Sequence, residues 1–424
     1  MHKQYIKMLV CPSCHKELEW HIQEENEDRI INGKACCLGC NSEYEVKDEI
    51  AVFLTNELSR NDLWDQGESA LEKFFKENTE IYNKLMNTPE EELNGADYWY
   101  KATYFEMKRD FAISSKMFKN AFKKIYTEDY INGWDSQMDF VIKNLQGEEP
   151  IIDIATGKGY LVEKILTETK NYVVVTDFSP TILLRNKEYY KAKDLYQRVS
   201  LIAFDARKAP FRDNSVVNMT SNMGLQNIEQ PGEVVKELNR ITKDNFMSVM
   251  FFINKDDKKH MDLLEKLSTT AYATKENAIE TFTNSGWNIE ICNSFLANIK
   301  PTPVSEIIEG SGIDGFPIED TEVEFCVIKA RKQESLEPSI CKKISSFEEI
   351  INLEASKLRV VLAEFSKTDI VKASMGASPQ VNQLLRSTFL DIDLSRERTE
   401  IGSVRITEVE DIHDKIVALI NSRL

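Results

Sequence analysis

The chain has 424 residues, of which 42% are hydrophobic and 29% are charged, a balance that excludes a fibrous or wholly disordered protein. With 53 Lys and Arg against 70 Asp and Glu, the net charge of −17 disfavours phosphate backbones and anionic membrane surfaces as partners. The chain is also too long for one hydrophobic core, so several domains are expected.

Nothing in the sequence directs the chain to a membrane or out of the cell. The N-terminal segment MHKQYIKMLVCPSC lacks the apolar core of a secretory signal, and no 18-residue apolar run occurs anywhere. We therefore expect a cytoplasmic protein that does not span a membrane.

Five of the eight cysteines lie between residues 11 and 40. Two pairs have the Cys-x2-Cys spacing, Cys11 with Cys14 and Cys37 with Cys40, so four thiolates can surround one tetrahedral Zn²⁺. Four protein ligands leave no open position, which predicts a structural zinc rather than a catalytic one. His15 and Cys36 are less favoured alternative ligands, because either would break the x2 spacing.

Residues 9–54 resemble the zinc-ribbon module that precedes the catalytic domain in bacterial ribosomal RNA guanine methyltransferases, a module that also occurs as a stand-alone methyltransferase partner. The match includes Trp20, Tyr44, Val46, Asp48 and Ile50, whereas Glu45, Glu49 and Ala51 depart from the family pattern. The resemblance implies a ribbon over residues 1–55. This segment has six basic and ten acidic residues, which favours a structural or protein-binding role over RNA binding.

Residues 56–147 are rich in helix-forming residues and predict a helical connector. Phe111, Phe118 and Phe122 recur at helical spacing, with exposed lysines predicted between them. In methyltransferases with this arrangement, such helices commonly cap the substrate pocket. A phosphate-binding role for the lysines is the less favoured alternative to a solvated surface.

A glycine-containing bend follows the apolar residues Ile151 and Ile152 and precedes a predicted helix at 160–170. Its pattern is Asp153-x-Ala155-x-Gly157-x-Gly159. Glycines at such a strand-to-helix bend let a ligand approach the backbone and the free N–H groups of the helix. The pattern is neither G-x-G-x-x-G nor a P-loop, which disfavours dinucleotides and nucleoside triphosphates.

Three further predicted strands follow this bend. The strand YVVVTD ends at Asp177, where a carboxylate is placed to accept hydrogen bonds from both hydroxyls of a ribose. The next strand leads to Asp205, and the fourth is SVVNMTSN.

Residues 148–332 resemble the class I S-adenosylmethionine-dependent methyltransferases, in their small-molecule and quinone branch. The resemblance rests on four segments in order: IIDIATGKGY, VVVTDFSP, FDARKAPFRDNSV and SNMGLQNI. It implies a Rossmann-like α/β sheet, parallel with an antiparallel last strand, and S-adenosylmethionine as the cofactor.

The same resemblance assigns ten residues to cofactor binding. Ala155, Gly157 and Gly159 form the bend beside the methionine part, and Asp153 orients that bend. Asp177 holds the ribose, and Phe178, Asp205 and Ala206 surround the adenine, while Asn222 and Leu225 lie at the pocket floor. The family's frequent His after the fourth strand is replaced by Gln226 or Asn227, so no catalytic base is assigned.

The remaining segments are less informative. The last two strands of the domain are predicted to pair antiparallel around a long insertion, 296–320, which is interpreted as a lid or a dimer arm. After the polar segment KQESLEPS, residues 333–424 are predicted to form a small α+β domain with strands at 359–365, 369–374 and 403–409.

The sequence as a whole favours a methyltransferase with a small-molecule acceptor and a structural zinc ribbon. Two alternatives remain at this point. One is a ribosomal RNA base methyltransferase, which the ribbon favours and the acidic charge disfavours. The other is a non-catalytic scaffold with the same fold, which binds protein partners through the ribbon or the C-terminal domain.

Overall fold

The structure is a computed structural model that describes residues 1–58, 62–333, 344–352, 355–362, 364–389 and 394–423. The chain divides into two compact units, the first over residues 1–333 and the second within 334–424. Most of the predicted linker KQESLEPS lies outside the described residues. The finer division of the first unit into 1–55, 56–147 and 148–332 stays a prediction.

The first unit is built on a single mixed sheet. Its strands are β1 (Leu18–Asn26), β2 (Arg29–Cys37), β3 (Glu43–Lys47), β4 (Ile50–Val52), β5 (Ile151–Asp153), β6 (Val173–Asp177), β7 (Val199–Ala203), β8 (Val216–Asn222), β9 (Thr242–Ile253), β10 (Trp287–Ile299) and β11 (Thr321–Lys332). Their order across the sheet is β1-β2-β3-β4-β7-β6-β5-β8-β9-β11-β10.

The strand directions agree with the expected methyltransferase sheet. β5 to β9 pair in parallel, whereas β11 pairs antiparallel with both β9 and β10. The strands of the predicted ribbon continue this sheet, because Ile50–Val52 of β4 pairs in parallel with β7. The N-terminal strands therefore extend the sheet beyond β7.

The first unit also contains two groups of helices. The connector contains α1 (Leu63–Glu77), α2 (Thr79–Asn87), α3 (Gly95–Met107), α4 (Phe111–Ile125) and α5 (Glu128–Lys143). The crossovers contain α6 (Tyr160–Glu168), α7 (Pro180–Ala192), α8 (Pro231–Ile241), α9 (Lys258–Lys266) and α10 (Lys275–Thr283). As predicted, Phe111 and Phe118 of α4 are buried, while Lys116, Lys119, Lys123 and Lys124 are exposed.

The regular elements among the described residues of the second unit are all helices, and the predicted strands there are wrong. Its helices are α11 (Ala355–Leu362), α12 (Lys367–Met375), α13 (Pro379–Thr388), α14 (Leu394–Ile401) and α15 (Ile406–Arg423). The β-branched residues of 369–374 favoured a strand by propensity. A capping box between Ser366 and Asp369 instead begins a helix that buries Ile370, Val371 and Ala373. In the described parts of the chain, no helix is both long and apolar enough to cross a lipid bilayer.

A candidate cofactor site at the strand ends and an N-terminal thiol cluster

The bend after β5 has the backbone conformation that its glycines predict. Gly157 and Gly159 have φ angles of 53° and 77°, in the left-handed region that favours glycine. Ala155 also has a positive φ, 50°, so the bend is strained at this non-glycine position. Gly224, at the end of the fourth parallel strand, packs so closely that a Cβ there would lie 2.6 Å from the Ala155 carbonyl oxygen.

Asp153 stabilises this bend through hydrogen bonds from neighbouring threonine hydroxyls. Its two carboxylate oxygens accept hydrogen bonds from Thr220 Oγ1 at 2.6 Å and Thr156 Oγ1 at 2.7 Å, and its side chain is buried. Burial raises the pKa of Asp153 to about 6, even though the two hydroxyls favour the charged form. Asp153 therefore fixes the bend and does not line the adjoining cavity.

Asp177 lies at the end of the neighbouring strand and faces the bend. Its Oδ2 accepts the Gly157 N–H at 3.0 Å, and its Oδ1 accepts the Ser179 N–H at 3.1 Å. Burial raises the pKa of Asp177 to about 6, against these backbone hydrogen bonds. Each oxygen keeps a lone pair for a ligand, because a carboxylate oxygen can accept two hydrogen bonds.

Asp205, after the third parallel strand, is paired within the chain. The Arg207 side chain donates from Nε to Asp205 Oδ1 at 2.9 Å and from Nη2 to Oδ2 at 2.7 Å. The Arg207 backbone N–H also donates to Oδ1, at 2.9 Å. Any ligand that donates a hydrogen bond to Asp205 therefore shares this carboxylate with the Arg207 guanidinium. This pairing was not predicted from the sequence.

These strand ends enclose a cavity of about 240 Å³. Of the ten residues predicted to bind the cofactor, six line it: Ala155, Gly157, Asp177, Phe178, Asp205 and Ala206. The other four, Asp153, Gly159, Asn222 and Leu225, are not among the residues that line it. Gly159 is the N-cap of α6, and Asn222 Oδ1 accepts a hydrogen bond from Trp134 Nε1 at 2.9 Å. Leu225 is buried in the core.

Several residues that line the cavity were not predicted from the sequence. Trp64 of α1 reaches the cavity from 93 positions before Gly157, and its ring would lie 3.3 Å from a Cβ added at Gly157. Arg207, Gly224, Asn227, Ile228 and Glu229 complete much of the wall. Arg207 could have been suspected from its place two residues after Asp205, whereas nothing near Trp64 in the sequence indicates a site.

The residues of the cavity fit S-adenosylmethionine in three respects. A carboxylate with free lone pairs lies at one strand end, aromatic side chains are provided by Phe178 and Phe204, and the Gly157 bend leaves the backbone uncovered by a Cβ. The helical connector fastens this bend in place. Glu106 of α3 pairs with Lys158 at 3.0 Å and with Arg185, which itself donates to the Lys158 carbonyl at 3.0 Å.

The four predicted zinc ligands come together in the N-terminal part of the chain. The sulfur atoms of Cys11, Cys14, Cys37 and Cys40 all lie within 4.8 Å of one another. Tetrahedral zinc with four bonds of about 2.3 Å requires sulfur separations of roughly 3.8 Å, so the cluster has the size of such a site. Backbone N–H groups of Gly39 and Cys40 also point at Cys37 Sγ, at 3.3 and 3.4 Å. Cys36 and His15 are not members of this cluster.

Comparison with known proteins gives a consistent result for the middle of the chain. Residues 152–247 match a family described as a methyltransferase domain. The demethylmenaquinone methyltransferase of Geobacillus stearothermophilus is 33% identical over 110 residues, which is 25% of this chain and 46% of that protein. The ubiquinone/menaquinone biosynthesis C-methyltransferase UbiE of Rickettsia prowazekii (strain Madrid E) is 26% identical over 115 residues, 26% of this chain and 46% of the relative.

The chain thus spans about half the length of these curated relatives. Among solved structures, the YcgJ protein of Bacillus subtilis superposes with a TM-score of 0.38 at 14% identity, over 47% of this chain and 99% of the other. The family match, the two relatives and the strand order agree on the middle of the first unit. Residues 152–247 are therefore similar to a methyltransferase domain.

Proposed function

We propose that the protein is an S-adenosylmethionine-dependent methyltransferase that acts on a small molecule. The observation that carries the proposal is the position of Asp177. Its carboxylate, at the tip of a parallel strand, lines a cavity beside the positive-φ bend at Gly157. A carboxylate at this place is suited to accept both hydroxyls of a ribose.

The residues of the cavity have separate tasks in this proposal. Asp177 accepts the ribose hydroxyls, while the bend at Ala155, Gly157 and Gly159 approaches the methionine part and Asp153 holds the bend. Phe178 covers the adenine, and Asp205 with the Ala206 backbone receives its polar edge. When bound, S-adenosylmethionine supplies a methyl group activated by a positively charged sulfur. The chain then orients the acceptor and excludes water, which lowers the barrier without an obvious base.

A small-molecule acceptor agrees with the relatives and with the charge. The two relatives quoted above are named for methylation in quinone biosynthesis. The net charge of −17 disfavours RNA as the acceptor.

We also propose a zinc ion at the thiol cluster. Cys11, Cys14, Cys37 and Cys40 supply four ligands and leave no open position, so the metal is structural.

Isothermal titration with S-adenosylhomocysteine tests the proposed cofactor site. The unaltered chain should bind this product, and Asp177→Ala should weaken binding at least about tenfold, because two hydrogen bonds to a charged group are lost. Asp244→Ala is the matched control, since Asp244 is exposed at the start of β9. Absence of binding to the unaltered chain, or equal affinities of the two variants, would contradict the assignment.

A further inference from the structure

Trp64 lines the proposed cofactor cavity, although it lies outside the matched residues 152–247. It is the second residue of α1 and reaches the cavity beside the glycine bend. Its Cζ2 atom would lie 3.3 Å from a Cβ added at Gly157, so the indole packs against the side of Gly157 that carries no side chain. The comparisons assign no role to this ring.

The N-terminal end of α1 is held in place by hydrogen bonds. Asp62 Oδ1 accepts the backbone N–H groups of Trp64 at 3.1 Å and of Asp65 at 3.0 Å, which caps the helix. Asp65 Oδ1 in turn accepts a hydrogen bond from Thr181 Oγ1 at 3.4 Å. Thr181 belongs to α7, the helix that follows the strand end at Asp177. The position of Trp64 is therefore tied to the same strand end as the proposed ribose ligand.

The Trp64 indole differs from the other tryptophans of the chain, because it has no ring partner within the described residues. The other four each pack against a phenylalanine: Trp20 with Phe53, Trp99 with Phe118, Trp134 with Phe122 and Trp287 with Phe282. Trp64 is half-buried and lines the cavity. A ligand there can therefore contact this ring without displacing another aromatic side chain.

The charged side chains that line the cavity favour a cation. Asp177, Asp205 and Glu229 are acidic, and Arg207 is the only basic one in the described part of the chain. Arg207 is already paired with Asp205, whereas Asp177 pairs with no basic side chain among the described residues. Asp177 also accepts the Gly157 N–H, so this carboxylate and the Trp64 indole adjoin the same residue of the bend.

A cation-binding site would distinguish the methyl donor from its product. S-adenosylmethionine and S-adenosylhomocysteine differ by one methyl group and one positive charge, because sulfur keeps the electron pair of the carbon–sulfur bond that breaks. Indole attracts a cation to its ring face more strongly than the other aromatic side chains do. An unpaired carboxylate adds to this attraction where water is partly excluded. The neutral sulfur of the product gains neither interaction.

We propose that Trp64 is a specificity-determining residue of the cofactor site, whose indole makes the chain prefer the positively charged sulfur of the methyl donor to the neutral sulfur of the product. The inference rests on the proposed function, since it requires the methionine part of the cofactor to approach the bend at Gly157. Asp177 contributes negative charge at the same bend. The preference favours release of the product after each transfer and binding of the next donor.

Isothermal titration with both ligands, in the absence of an acceptor, tests this role. The measured quantity is the ratio of the affinity for S-adenosylmethionine to the affinity for S-adenosylhomocysteine. Trp64→Leu keeps an apolar side chain but removes the aromatic face, and should lower this ratio at least about threefold. Packing that the variant loses is common to both ligands and cancels in the ratio. A ratio that stays the same in Trp64→Leu would overturn the proposal.

Two further variants separate the ring from its position. Trp64→Phe keeps a ring with a weaker attraction for cations, so its ratio should lie between those of the unaltered chain and Trp64→Leu. Trp20→Leu makes the same change at a half-buried tryptophan that does not line the cavity, and should keep the full ratio. An equal fall of the ratio in Trp20→Leu would also overturn the proposal.

The same titrations separate this inference from the proposed function. If the unaltered chain binds neither ligand, the proposed function fails and the role of Trp64 fails with it. If the unaltered chain binds both ligands and the ratio does not respond to replacement of Trp64, only this inference fails.

Discussion

Asp153 and Asp177 end neighbouring parallel strands, yet their surroundings give them different roles. Asp153 is enclosed by Thr156 and Thr220, whose hydroxyls donate to both of its oxygens. Asp177 accepts only backbone N–H groups and faces the cavity. Burial raises the pKa of each to about 6. The first carboxylate stabilises the bend, whereas the second is free to bind a ligand.

Because the Asp153 carboxylate is buried, its effect on the free energy of unfolding can be tested by replacing it. Since the pKa is about 6 in the folded chain and about 3.9 when unfolded, the folded state binds more protons between these values. The free energy of unfolding therefore falls as pH rises from 4 to 6, by up to about 3 kcal/mol. Asp153→Asn should remove this loss and raise stability at pH 7.5 by about 1–3 kcal/mol, measured by urea unfolding.

Asp244→Asn serves as the control, because this exposed residue should change stability little at any pH. Each threonine hydroxyl can rotate to donate or accept, so the amide at position 153 keeps hydrogen-bond partners. If Asp153→Asn were destabilised equally at pH 5 and pH 7.5, the charge would not be the source of the pH dependence.

For individual residues, the sequence allowed us to predict cavity residues that lie close to a motif. It did not allow us to predict a residue that is distant along the chain and reaches the cavity through tertiary packing. Gly157, Asp177, Phe178 and Asp205 all follow directly from strand ends, and all line the cavity. Trp64 lines it too, but its contact depends on the packing of α1 against α7. No local pattern encodes that packing.

At the level of elements, the N-terminal strands extend the methyltransferase sheet. β4 pairs with β7, and the Phe53 N–H donates to the Ala203 carbonyl at 2.7 Å. Two residues beyond Ala203 lies Asp205, at the cofactor cavity. A further backbone contact, from the Val10 N–H to the Pro210 carbonyl at 2.9 Å, joins the residue before Cys11 to the segment that follows Asp205. The segment that leads into Cys11 is therefore hydrogen-bonded to the segment that follows Asp205.

Replacement of single cysteines tests the thiol cluster. The purified chain should contain one zinc ion, and Cys36→Ser should retain it, because Cys36 lies outside the cluster. Cys40→Ser removes one of four ligands and should lose most of the zinc to a mild chelator. Metal analysis after dialysis distinguishes the two variants. Full retention of zinc in Cys40→Ser, or its loss in Cys36→Ser, would refute the ligand assignment.

The C-terminal helices show why strands were wrongly predicted in that part of the chain. The segment around Val360 and Val361 has strand propensity, which is a weak preference that tertiary packing overrides. Leu358 and Leu362, four residues apart, are both buried, which is the spacing of one helix face. In the methyltransferase domain, by contrast, long apolar runs that end in Asp and Gly left little ambiguity.

On the scale of the whole molecule, the hydrophobic residues form separate cores. One cluster covers a face of the sheet and includes Leu9 and Tyr44 from the N-terminal strands together with Phe246. Another covers the opposite face and contains Val173. The second unit has its own cluster, drawn entirely from residues 344–420. Each of these three clusters is drawn from residues of a single unit.

Truncation tests this independence. A chain of residues 1–333 retains the complete sheet, the cofactor cavity and the thiol cluster, so it should unfold cooperatively and bind S-adenosylhomocysteine within about twofold of the full chain. Thermal unfolding and isothermal titration measure the two properties.

A chain of residues 57–424 is the informative contrast, because it lacks the strands between β7 and the sheet edge. It should expose β7 as an unpaired edge and unfold at a lower temperature or aggregate. If 1–333 failed to fold while 57–424 remained stable, the N-terminal strands would not belong to the methyltransferase sheet in solution.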